Sequence, residues 1–123
     1  MCARAIALLI ACDIHPVNNL RVLHDLTGPL GADEARKLAW YRHWVASGLG
    51  ALETMLASAG RHGVYCVGDT PTLADICLVP QVYNARRFGV DLTPFRKLLA
   101  VDAACAALDA FRQAAPAAQA GAE

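Results

Sequence analysis

Apolar side chains recur close to the 3.6-residue helical period along most of the chain. In residues 3–26 they stand at Ile6, Leu9, Ile10, Ile14, Val17, Leu20 and Leu23, one buried stripe of an amphipathic helix. Pro16 falls inside that stripe. It has no N–H to offer the Cys12 carbonyl and its ring crowds that group, so the pattern predicts a kinked helix or two abutting ones. Thr27-Gly28-Pro29-Leu30-Gly31 reads as a stop and turn. A stronger periodicity follows over residues 32–59, with Leu38, Tyr41, Trp44, Val45, Leu49, Leu52, Met55 and Leu56 on its apolar side, and a loop is predicted at 60–65.

The next start signal is explicit. Thr72 and Asp75 have the spacing of a capping box, in which each side chain satisfies an orphan amide of the other, with Asp in place of the more usual Glu. The helix is predicted from Leu73 to about Arg87, with Pro80 inside it as a possible bend, and Phe88-Gly89-Val90-Asp91 ends it. Thr93 then reads as an N-cap and Pro94 as the first position of a last helix, which buries Phe95, Leu98, Leu99, Cys105, Leu108 and Phe111. The tail from Gln113 to Glu123 holds six Ala, one Gly and one Pro, and residues 116–123 are expected to be disordered. No alternating strand pattern, internal repeat or long linker interrupts the series. The expected fold is all-α, one domain built as a bundle of four to five helices.

Composition agrees and narrows the partners. Of 123 residues 25 are Ala, the strongest helix former, and only 7% are aromatic. Eleven basic residues balance eleven acidic ones, so no long-range field draws a phosphate backbone or an anionic membrane; neither nucleic acid nor membrane is expected as a partner. No uninterrupted apolar run approaches the roughly 18 residues of a membrane helix. Leu9-Ile10-Ala11-Cys12 loosely imitates the end of a short lipoprotein signal, but the helical stripe runs on past it. Five Cys without a CxxC pair make no closed disulfide framework, which points to reduced, mostly buried thiols in the cytoplasm. The four His have no metal-ligand spacing, so no metal is expected.

Two polar groupings carry candidate chemistry. His15, Asn18 and Asn19 share one face if their helix is continuous, with Arg21 a turn on; a ligand-facing surface and the ordinary solvated side of a helix have the same spacing. Arg86 and Arg87 close the helix that Thr72 opens. They are either an anion site that grips a carboxylate through two parallel hydrogen bonds, or cations complementing the helix dipole. Thr72 and Asp75 are assigned to structure, and Trp40, Tyr41 and Trp44 to packing. No nucleophile–base order is persuasive, so no catalytic residue is assigned.

The runs from Asp13 to Leu23 (DIHPVNNLRVL), His43-Trp44-Val45 with Gly48-Leu49 and Ala51-Leu52-Glu53, and above all Cys66 to Leu92 (CVGDTPTLADICLVPQVYNARRFGVDL) resemble the C-terminal helical domain of zeta-class glutathione transferases. That class includes maleylacetoacetate isomerase and the bacterial maleylpyruvate isomerases. The resemblance covers residues 3 to about 119. It implies a glutathione-dependent cis–trans isomerisation of a maleyl dicarboxylate in tyrosine or aromatic-acid breakdown. Carried over by motif, Arg87 holds a substrate carboxylate, Arg21 helps line the same cationic bowl, and His15, Asn18 and Asn19 approach glutathione. It further implies a homodimer and a thioredoxin-like domain, with a Ser-rich, Cys-containing motif, that activates the thiol. Nothing in the 123 residues supplies that motif, so the chain alone is expected to be inactive or nearly so. A non-catalytic interaction module derived from such a domain is the alternative.

Overall fold

The computed structural model describes residues 2–58 and 63–121. In chain order the elements are α1 (Ala3–Leu8), a π-helical segment (Leu9–Ile14), α2 (His15–Asn18), α3 (Leu20–Thr27), α4 (Glu34–Ser58), α5 (Leu73–Arg87), α6 (Arg96–Ala106), α7 (Asp109–Ala114) and a 3-10 turn (Pro116–Ala118). Among the described residues there is no strand. With α1 to α3 taken as one bent arm, the architecture is the expected all-α bundle, with five helices.

The bend has the cause read from Pro16 and a more specific form. The His15 N–H reaches back five residues to the Ile10 carbonyl, so the extra residue of a π turn is inserted just ahead of the proline. A second break follows at Asn19, whose backbone is extended (φ −76°, ψ 160°). These two interruptions shift the helical phase. Ile6, Ile10, Ile14 and Leu23 enter the core as the periodicity predicts, whereas Leu20 is 69% exposed.

The core is shared by the arm, by Tyr41, Val45, Leu49 and Leu52 of α4, by Ala74, Leu78, Val82 and Ala85 of α5, and by Leu98, Val101 and Cys105 of α6. Each large aliphatic side chain removed from water here contributes about 1.5–3 kcal/mol. Gly48 lets α4 approach the π segment, since a Cβ there would stand 2.6 Å from the Ile14 side chain. α1 lies along α5, and α6 packs on both α4 and α5. Trp44, placed in the packing set by spacing, is 46% exposed, while Tyr41 is fully buried and Trp40 half-buried against the core.

Several expectations are corrected. α6 begins at Arg96 and not at Pro94, because Thr93 is engaged elsewhere: its N–H and hydroxyl both donate to the Asp91 carboxylate, at 3.0 and 2.7 Å. The last helix is divided at Ala107–Leu108 into α6 and α7. In the tail, Pro116–Ala118 form a 3-10 turn and the Gln119 side-chain amide donates to the Gln113 carbonyl at 2.7 Å, while residues 122–123, part of the stretch expected to be disordered, lie outside the described residues. Two of the five thiols, Cys2 and Cys12, are exposed. Over Ala3–Thr27 mean hydropathy reaches 1.3, so by length and composition the arm is apolar enough to cross a membrane, although its buried third is the core stripe just described. Part of the loop predicted at 60–65 lies outside the described residues.

Candidate functional site

The two ends of α5 do different things. At its start Thr72 Oγ accepts from the Ala74 N–H at 3.3 Å and Asp75 accepts from the Thr72 N–H at 2.7 Å, which is the capping box read from the sequence. Asp75 is fully buried and also accepts from the Cys66 N–H at 2.9 Å, so it ties the preceding loop to the helix. Two buried thiols flank this carboxylate. Burial raises Cys105 to about 11, with the Asp75 and Asp102 charges adding to the effect. Burial likewise pushes Cys66 well above the usual thiol range, again reinforced by Asp75. Neither is a thiolate at neutral pH, so neither is placed to act as a nucleophile.

The other end of α5 closes in a Schellman turn. The Val90 N–H bonds to the Ala85 carbonyl at 2.9 Å and the Gly89 N–H to the Arg86 carbonyl at 3.1 Å, with Gly89 at φ 70°. This geometry separates two arginines that spacing alone could not tell apart. Arg86 Nη2 lies 2.8 Å from Oδ2 of Asp102, a buried residue of α6, and the pair joins the two helices. Arg87 is exposed, stands with its Cζ 5.9 Å from the centroid of the Phe88 ring, and has no carboxylate partner among the described residues. Its helix face runs outward through Leu73, Ile76, Pro80 and Tyr83.

Tyr41 and Arg42 of α4 meet this end. The buried Tyr41 ring stacks on Phe88 with centroids 4.1 Å apart and planes at 23°. Burial raises the Tyr41 hydroxyl to about 12, with the Arg87 cation pulling the other way. Arg42 Nε donates to the Phe88 carbonyl at 2.8 Å. Spacing offered no signal for either contact, since 46 residues separate Arg42 from Phe88.

On the arm, the polar face predicted for a continuous helix is divided. His15 is exposed beside the π segment, and Asn18 is 7% exposed with neither amide atom hydrogen-bonded to the described protein. Asn19 is spent on structure: its Nδ2 donates to the Pro16 carbonyl at 2.8 Å and its Oδ1 accepts from the Val22 N–H at 3.3 Å, capping α3. An Asn just ahead of an apolar run after a proline was the available signal for that cap. Arg21 is exposed in the first turn of α3, where the helix dipole favours an anion over a cation. Among the described residues no three His, Cys, Asp or Glu side chains converge to hold a metal ion.

The family described as "Glutathione S-transferase, C-terminal domain" matches residues 38–120. A maleylpyruvate isomerase from a Ralstonia species is 58% identical over 94% of this chain and 55% of its own. The holo structure of a bacterial zeta-class maleylpyruvate isomerase superposes with a TM-score of 0.95 at 55% identity, covering 98% of this chain and 57% of the other. The maleylacetoacetate isomerase of Anaeromyxobacter dehalogenans, solved with dicarboxyethyl glutathione and citrate in its active site, gives 0.90 at 43% identity over 98% of this chain and 53% of its own. The chain thus spans about half the length of the curated relatives it matches.

Proposed function

The chain belongs to the glutathione S-transferase C-terminal domain family, and from that premise we propose that it forms the carboxylate-holding side of a glutathione-dependent isomerase, which converts a maleyl dicarboxylate to its fumaryl isomer. The observation that carries this reading is the exposed Arg87 guanidinium at the end of α5, which has no carboxylate partner among the described residues, whereas the adjacent Arg86 is paired with Asp102. A planar, permanently charged guanidinium suits a carboxylate, which it meets through two parallel hydrogen bonds. Arg21 supports the same reading, as an exposed cation beside the amide-rich start of α3. Relatives that bear maleylpyruvate and maleylacetoacetate isomerase names support the substrate class.

Glutathione, when bound, supplies the thiolate that adds to the cis double bond and departs after rotation. The residues of this chain fit it through His15, which is exposed and has a ring nitrogen to offer. Asn19 is committed to its cap and so acts by holding the break that follows His15, while Asn18 lies under the surface with neither amide atom bonded among the described residues. The outward apolar side chains Leu73, Ile76 and Tyr83 of α5, with Leu8 of the adjoining α1, suit a thioredoxin-like domain packed against them. A homodimer and a cytoplasmic location complete the reading, the second supported by five free thiols.

The test mixes the purified chain with a separately produced thioredoxin-like domain and glutathione, and follows isomerisation of maleylpyruvate. Activity that needs both parts, and whose KM rises about tenfold or more in Arg87→Ala, is the expected result. Dimers without activity would favour the interaction module. Isomerisation by the chain alone would overturn the division of labour proposed here.

A further inference from the structure

Arg42 makes an unusual use of a charge. Among the described residues it has no carboxylate partner, and its Nε is spent on a neutral carbonyl, that of Phe88, 46 positions away. Room for this contact depends on Gly89, where a Cβ would stand 2.9 Å from Arg42 Nη2. The neighbouring Tyr41 holds the Phe88 ring from inside the core. Successive helical residues point about 100° apart, so one buried and one exposed residue of α4 grip the ring and the carbonyl of a single residue from two directions.

The residue so gripped directly follows Arg87. Helix ends fray, and an arginine on a fraying turn must lose much of its rotamer freedom on meeting a ligand. Fixing Phe88 fixes the last turn of α5 and keeps its ring beneath the Arg87 guanidinium. We propose that Arg42 is a positioning residue for Arg87: its bond to the Phe88 carbonyl preorganises the Arg87 guanidinium for a carboxylate it does not itself touch. This rests on the reading of Arg87 as the carboxylate-holding group.

The experiment titrates the 123-residue chain with maleate by NMR, and measures the heteronuclear NOE of the Arg87 and Phe88 amides and the thermal midpoint of each variant. Arg42→Gln places an amide nitrogen the same number of bonds from Cβ as Arg Nε and so keeps the donor without the charge. Arg42→Lys keeps the charge and removes the donor at that position. The expected result is that Arg42→Ala and Arg42→Lys weaken maleate about fivefold and lower both NOE values at an unchanged midpoint, while Arg42→Gln restores most of the loss. Affinity retained by Arg42→Lys and lost by Arg42→Gln would overturn the proposal, since Arg42 would then be meeting the anion as a charge. So would wild-type affinity in all three variants. Arg87→Ala serves as the control: if it leaves maleate binding unchanged, the carboxylate reading of Arg87 fails. The NOE values then judge the Arg42 hold separately, with lowering in Ala and Lys supporting it and no change overturning it.

Discussion

At the start of α5 the orphan amides are met by Thr72 and Asp75, three positions apart; at the start of α6 they are met by Glu53 of α4, which accepts from the Lys97 and Leu98 N–H groups at 2.9 Å each across 44 and 45 positions. Both arrangements put a carboxylate on a helix N-terminus, where it pairs with free N–H groups and with the positive end of the dipole. They differ in what must already be in place. The α5 cap needs only its own turn, with Cys66 drawn in afterwards, whereas the α6 cap exists only once α4 has docked. A helix with a local cap carries its own start signal, and a helix capped from afar takes its start from the tertiary fold.

The comparison breaks first at Asp75. Asp75→Ala removes the capping carboxylate and leaves the buried Cys66 N–H unpaired, an expected loss of about 3 kcal/mol in urea unfolding. A loss below 1 kcal/mol would mean that this carboxylate is no more than an ordinary surface cap. Glu53→Ala is expected to cost about half as much, because Glu53 is only half-buried and water can replace it at the exposed amides. Hydrogen exchange should quicken at Lys97 and Leu98 while the first turn of α5 stays protected; equal quickening at both starts would show that the two caps are not independent.

Alkali sharpens the contrast through the thiols at the α5 start. Cys105 is raised from 9.0 to about 11, so the folded state favours the neutral thiol. Its contribution is fully present below pH 9 and is lost as pH rises towards and through about 11, with Tyr41 adding a similar loss between 10 and about 12. Thermal midpoints should fall over that range, and Cys105→Ala should shrink the fall. The smallest effect belongs to Thr93→Ala. Since that hydroxyl serves Asp91 in an exposed turn, the change is expected to stay within about 0.5 kcal/mol, and a larger cost with fraying of α6 would restore Thr93 as its cap.

The same division separates what could be read along the chain from what could not. α5 was legible from Thr72 to Gly89, because its cap, its apolar face and its glycine stop all act within a turn or two of themselves. The quoted zeta-class motifs made the family legible as well. Leu20 was misplaced because one π turn and one extended residue rotate everything after them, and periodicity assumes an unbroken phase. Arg86 and Arg87 were indistinguishable because their difference is Asp102, on another helix. The capping duty of Asn19 was not read from spacing, although its amide bonds backbone groups three residues to either side.

By itself the sequence determined the all-α class, the limits of α5 and the presence of an unusual break near Pro16, since each follows from interactions between residues a few positions apart. Only the tertiary structure decided where α6 begins, which of two adjacent arginines is paired with Asp102, and that Tyr41 and Arg42 meet on Phe88. Each of those depends on a group more than a dozen residues distant, which reaches its partner only when the helices have packed.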